Sequence, residues 1–359
     1  MEASEHEIVV AVSKSETCNK YPMISKTGIF TPQNRYLIVF SVFLTLILFS
    51  IDLFSGPVNI PAEEIFKIIF LKKSSNDTWF RIIWELRLPK ALTAVVAGSA
   101  LSLAGLLTQS LFRNPLTGPD MVGITSGAGL FVALAVMAGI GSGMGLSLTL
   151  AASAGSAAAF SIISLVAPRV SNSLLLILGL MFSALISSIV VTLQFISQAE
   201  QLQQYTFWSM GTLSKAGYNE LFLMGTTILT GIMVAFSALK GLNANAMGTG
   251  YSMSIGISQN RLRWKILVST ALLTGSITAF CGPITFVGIA GPHLIKQLFK
   301  IADHKILIPL SLMAGSSMLL VCDILIQMTG TVIPVNAATS ILGAPVIIWV
   351  ILRNRRDSF

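Results

Sequence analysis

Apolar runs of about 20 residues follow one another from Tyr36 almost to the C-terminus, each long enough to cross a hydrocarbon core of roughly 30 Å as a helix. The runs are continuous rather than alternating, so they do not read as the short dyad segments of a membrane β-barrel. Charged residues make up 11% of the chain, against about a quarter in soluble domains. Ten spans fit, at roughly 36–55, 89–110, 121–140, 145–166, 173–195, 220–239, 264–282, 284–299, 306–327 and 337–352. The fold class is therefore all-α and integral to the membrane. Residues 1–35 read as a polar tail and 36–359 as one ten-helix domain, with the eighth span interrupted by Gly282, Pro283, Gly288, Gly291 and Pro292. The tail does not read as a signal peptide, because no cleavage site follows the first apolar run.

The segments between spans carry their own signals. Residues 62–71 suggest an amphipathic surface helix, and 196–219, with Trp208 and Tyr218, an interfacial excursion. The stretch 240–263 is the longest internal polar segment between good spans. Sixteen of the 23 Lys and Arg fall on the side shared by both termini, which places the termini in the cytoplasm. In a membrane chain the net charge of +8 reflects this loop bias rather than nucleic-acid binding. Six of the seven exceptions cluster between Lys67 and Lys90. Gly98-Ser99 and Gly105 in span 2 recur as Gly275-Ser276 and Gly282 in span 7, and Pro115 recurs as Pro292, all at a constant offset. An odd number of crossings separates those spans, so spans 2–5 and 7–10 form an inverted repeat, a habit of transporters.

The polar residues exclude several classes. Asp323 is almost the only ionisable group expected within the spans, towards the outer end of span 9, and reads equally as a bonded interfacial carboxylate or a functional one. There is no acid–base pair for a proton relay and no nucleophile–base constellation. Cys18, Cys281 and Cys322 form neither a disulfide framework nor a metal pair. No GxxxxGK[ST] occurs, so any ATP chemistry belongs to another subunit. An ion-coupled carrier without an ATPase is the alternative, and nearly charge-free spans speak against it.

From Arg87-Leu-Pro-Lys90 through AVVAGSALSLAGLLTQSLFRNPLTGPDMVGITSGAG, ending at Gly129, the chain resembles the permease family of bacterial binding-protein-dependent ABC importers. That family moves iron–siderophore complexes, haem and vitamin B12. FWSMG (207–211), ITFVGIAGPHL (284–294), DHKILIPLSLMAGSSMLL (303–320) and ILGAPVIIWVIL (341–352) extend the likeness over nearly everything after residue 36. The resemblance implies a transporter subunit of the inner membrane, not an enzyme. It implies a second permease copy, two cytoplasmic ATPase subunits that hold ATP and Mg, and a periplasmic or lipid-anchored substrate-binding protein. No cofactor or metal is implied in this chain. Two departures stand out. Thr249 lies where relatives carry an acid, and Val332-Ile-Pro-Val-Asn336 replaces the family's ELPIG.

Candidate residues follow. Arg87 and Lys90 flank Pro89 at a helix start, where cations oppose the macrodipole. They are either snorkelling anchors or, as the resemblance implies, the docking point for the binding protein. Within 240–263, Gly248 and Gly256 allow turns, and Tyr251, Met253 and Ile255 offer an apolar face for the ATPase. Ser171, Asn172 and Ser173 read as a helix cap, or as a cytoplasmic gate by resemblance. Gly98, Gly105, Gly123, Gly127 and Gly129 read as close-packing surfaces. His293 reads as structural rather than as a haem ligand.

Overall fold

The computed structural model describes residues 32–74, 76–139, 145–299, 301–330 and 333–356. The expected tail therefore lies, up to residue 31, outside the described residues. Every span expected from the sequence is a helix: α1 (Pro32–Phe54), α4 (Leu88–Phe112), α5 (Ile124–Met137), α6 (Gly145–Val166), α7 (Asn172–Ile196), α9 (Tyr218–Ser237), α12 (Gln259–Cys281), α13 (Val287–Phe299), α14 (His304–Thr329) and α15 (Val335–Arg356). Among the described residues seven helical stretches are long and apolar enough to cross a bilayer, and Ile124–Met137 and Val335–Ile348 are shorter apolar helices.

The surface segments fold as well. α2 (Ala62–Phe66) continues as a π-helical turn, Lys67–Leu71, and α3 (Asp77–Arg81) runs through Ile82–Arg87 into α4. The excursion after span 5 contains α8 (Ala199–Ser209), opened by a capping box between Gln198 and Gln201. The inner segment forms α10 (Leu239–Ala246) and α11 (Thr249–Ser254). Ser171 caps α7 by accepting the Leu174 N–H at 3.3 Å, and Asp303 caps α14 by accepting from Lys305 N at 2.9 Å.

The central helix is α4. It packs against α14, α13, α12 and α9, and most of its surface is covered by protein. Contact there is made at glycine. A Cβ on Gly98 would overlap the Gly315 carbonyl, and one on Gly105 the Gly288 carbonyl. Two backbones lie directly against each other, the packing that small residues permit where lipid supplies no hydrophobic drive. Packing partners also follow the inverted repeat. α4 lies on α14 as α12 lies on α6, α5 on α6 as α13 on α14, and α5 on α7 as α13 on α15.

The eighth span departs most from a straight helix. α13 has 13 residues, about 20 Å at 1.5 Å per residue, too short to cross the hydrocarbon core alone. Residues 282–286 precede it as irregular backbone, with Gly282 at φ 78° and Phe286 at φ 67°. Irregular backbone persists at this depth only where protein satisfies it. Asn336 Oδ1 accepts from Thr285 N at 3.3 Å and from the Thr285 hydroxyl at 2.6 Å, while Thr212 N donates to Cys281 O at 2.7 Å.

Candidate functional site

Two polar clusters lie at opposite ends of the α4–α14 pair. At the end that the charge bias places outside, Lys90 Nζ meets Asp323 Oδ1 at 2.7 Å. Gln327 Nε2 donates to Asp323 Oδ2 at 2.7 Å and to Asp52 Oδ1 at 2.8 Å, so α1 joins the same cluster. Asp52 and Asp323 are only 2% and 1% exposed. Carboxylates this deep are retained only with counter-charges and donors. Arg87 is 8% exposed, and its guanidinium donates to the carbonyls of Leu53, Phe54 and Val58. It thus places a cation on the C-terminal carbonyls of α1, the favourable end of that helix dipole.

Lys90 and Asp323 lie on the wall of a cavity of 520 Å³, with Gln327, Lys215 and the 210–214 and 333–335 segments around it. The outer basic cluster is largely engaged within the chain. Lys67 pairs with Glu63 at 2.7 Å and Glu64 at 3.4 Å. Hydrogen bonds to Glu63 and then Glu64 hold its pKa above the ordinary lysine value. Lys72 Nζ stands 5.3 Å from the Trp84 ring centroid, a cation–π placement. Of the two residues expected at a docking surface, Lys90 reaches the cavity wall and Arg87 is held behind it.

The opposite end carries the 240–263 segment. Gly248 at φ 126° and Gly256 at φ 84° bracket α11, and nothing stands within reach of a Cβ at either. Both turns need the left-handed freedom of glycine. Tyr251, Met253 and Ile255 are exposed on this turn, while Ser252 is buried and accepts from Gln259 Nε2 at 2.9 Å. α10 turns its asparagines into the bundle. Asn243 Oδ1 lies 2.8 Å from His304 Nδ1 and accepts from His304 N at 2.8 Å, and Asn243 Nδ2 donates to Asp303 Oδ1 at 2.7 Å. His304 Nε2 lies 2.8 Å from Ser110 Oγ. Arg113 Nη2 donates to the Asn245 carbonyl and to Asn245 Oδ1 at 3.3 Å.

The loop between α6 and α7 is held from both sides. Asn172 Nδ2 donates to Leu111 O at 2.9 Å, and Arg263 Nη1 donates to Ala167 O and, at 2.8 Å, to Val170 O. Ser173 remains exposed. His293 is 7% exposed, and neither ring nitrogen has a partner among the described residues. No cluster of three or more His, Cys, Asp or Glu suited to a metal occurs among them.

Sequence reading missed Asp52, Asn243, Asn245, His304 and Asn336. Asp52 lies near the end of an apolar run and looks like an interfacial acid. The others are polar residues whose partners lie 50 or more positions away, Asn243 and Asn245 within α10 and His304 and Asn336 in the first turns of α14 and α15. No local pattern marks such residues.

The FecCD transport family model matches residues 44–353. The hemin transport system permease protein of Yersinia pestis is 33% identical over 87% of this chain and 95% of its own. The vitamin B12 import system permease protein of Klebsiella pneumoniae is 33% identical over 76% of this chain and 83% of its own. Among solved structures, an inward-facing metal-chelate type ABC transporter superposes with a TM-score of 0.80 at 25% identity, covering 89% of this chain and 99% of the other.

Proposed function

We propose that this chain, which belongs to the FecCD transport family, is the membrane permease of an ATP-driven importer carrying haem, cobalamin or an iron chelate into the cytoplasm by alternating access. The observation that carries this reading is the inner docking segment. A chain without a phosphate-binding loop of its own presents Tyr251, Met253 and Ile255 on an exposed turn hinged by two positive-φ glycines. An apolar face beyond the spans suits a partner that supplies the energy.

The assembly follows from that. Two ATPase subunits take the α11 turns of two permease copies. The copies meet across the exposed faces of α7 and α15, where Met181, Leu185 and Ile341 stand uncovered. A substrate-binding protein docks at the outer cavity, with Lys90 on its wall and Arg87 fixing that wall from behind. Both termini and the 171–173 gate lie on the cytoplasmic side.

The test is uptake into vesicles. The chain co-reconstituted with its ATPase and loaded binding protein should import haem, cobalamin or a ferric chelate in an ATP-dependent manner. The chain alone should move none of them, with or without ATP. Uptake by the lone chain under a proton or sodium gradient would replace this reading with an ion-coupled carrier.

A further inference from the structure

Asn243 has no freedom of orientation. On one side stands the His304 backbone N–H, an obligatory donor; on the other stands the Asp303 carboxylate, an obligatory acceptor. Its amide must therefore turn the oxygen to His304 and the nitrogen to Asp303. The oxygen then also faces His304 Nδ1, which must carry a proton. The far nitrogen of the same ring reaches Ser110 on the last turns of α4. One amide on α10 thus joins the first turn of α14, through Asp303 and His304, to the end of α4. Asn245, 2% exposed, adds a second tie to α4 through Arg113.

The two helices gripped there touch at two further levels along their length. Gly98 and Gly315 bring their backbones into contact at mid-length, and the Ser316 hydroxyl donates to Val95 O at 2.8 Å beside them. At the far end Lys90 pairs with Asp323. From Lys90 to Ser110 is 20 residues of helix, about 30 Å at 1.5 Å per residue. The pair is therefore fastened at both ends and in the middle, and close-packed contacts transmit displacement rather than absorb it.

Resting on the importer reading above, we propose that Asn243 is the positioning residue through which the ATPase-docking segment moves α4 and α14 as one body, carrying motion at α11 to the outer cavity. α11 meets the partner; α10 passes the displacement on. The contact needs an amide in particular. Alanine removes all of its bonds, and aspartate would set a second carboxylate against Asp303 without the donor.

The experiment uses the full complex in proteoliposomes, with basal ATP hydrolysis, its stimulation by loaded binding protein and uptake per ATP measured together. Asn243→Ala should assemble and hydrolyse ATP basally within twofold of wild type, while stimulation and uptake per ATP fall at least fivefold. His304→Ala should behave likewise. His304→Asn keeps a donor near the Nδ1 position and should retain most of the coupling. Unchanged stimulation in Asn243→Ala would overturn the proposal. So would parallel loss of assembly and basal hydrolysis in all three variants, which would make the cluster a plain structural brace. A wild-type complex that shows no ATP-dependent uptake would instead overturn the importer reading, and the proposal with it.

Discussion

Taking away either member of the Lys90–Asp323 pair leaves the other charge without its counter-ion, and the consequences differ by member. Asp323 is the more deeply buried of the two, whereas Lys90 keeps more access to the cavity that both line. Breaking a fully buried pair costs roughly 3–5 kcal/mol, while replacing both members by apolar groups is often neutral. Lys90→Met should therefore destabilise the protein by about 2–3 kcal/mol, reduced from the full value because water reaches the site. Lys90→Met with Asp323→Leu should recover most of that loss. Thermal unfolding of the purified protein in detergent checks both, and equal destabilisation by the single and double variants would rule the ion pair out as the cause. Arg87 belongs to a different class. It neutralises helix carbonyls rather than a carboxylate, so its replacement should loosen the junction between the end of α1 and the start of α4.

At the scale of elements, α11 can be tested against its own composition. Thr249 stands where the resemblance implies an acid, so packing by Tyr251, Met253 and Ile255 should dominate the proposed ATPase contact. Met253→Asp should abolish stimulated hydrolysis, because a buried unpaired carboxylate is costly, while Thr249→Ala should be nearly silent. Gly248→Ala should fall between them, since φ 126° is strained for any residue with a Cβ. Normal hydrolysis by Met253→Asp would move the docking surface elsewhere. The helices themselves were legible because length and hydropathy alone decide whether a segment can cross a bilayer. The break before α13 was legible from Gly282 and Pro283. What holds that break together was not, because Asn336 stands 51 positions from Thr285 and matches no motif. The same limit hid the Asn243 cluster, whereas the α11 turn could be anticipated from two glycines and three apolar side chains. Asp323 shows the limit from the other side: its position was legible, but its counter-ion on α4 was not.

For the whole molecule, the distribution of burial separates two kinds of span. α4, α12 and α14 are mostly enclosed, whereas α1, α7 and α9 leave most of their surface uncovered. Lipid suits α1 and α9. α7 leaves Met181, Leu185 and Val191 uncovered, and in the importer reading proposed above this face meets a second copy. The purified complex should accordingly contain two copies of this chain, and a mass corresponding to one copy per ATPase pair would contradict that arrangement.

The enclosure of α4 also dictates events during synthesis. Its partner at the inner end, His304, lies 194 positions after Ser110, so the ribosome delivers α4 long before α14 exists. Until then Lys90, Ser102 and Gln109 lack the protein that later surrounds them. A chain terminated just before His304 should consequently be recognised as defective and degraded within a fraction of the lifetime of the full chain. Pulse-chase measurement in cells would show it, and equal lifetimes would mean that α4 is at home in the bilayer without α14.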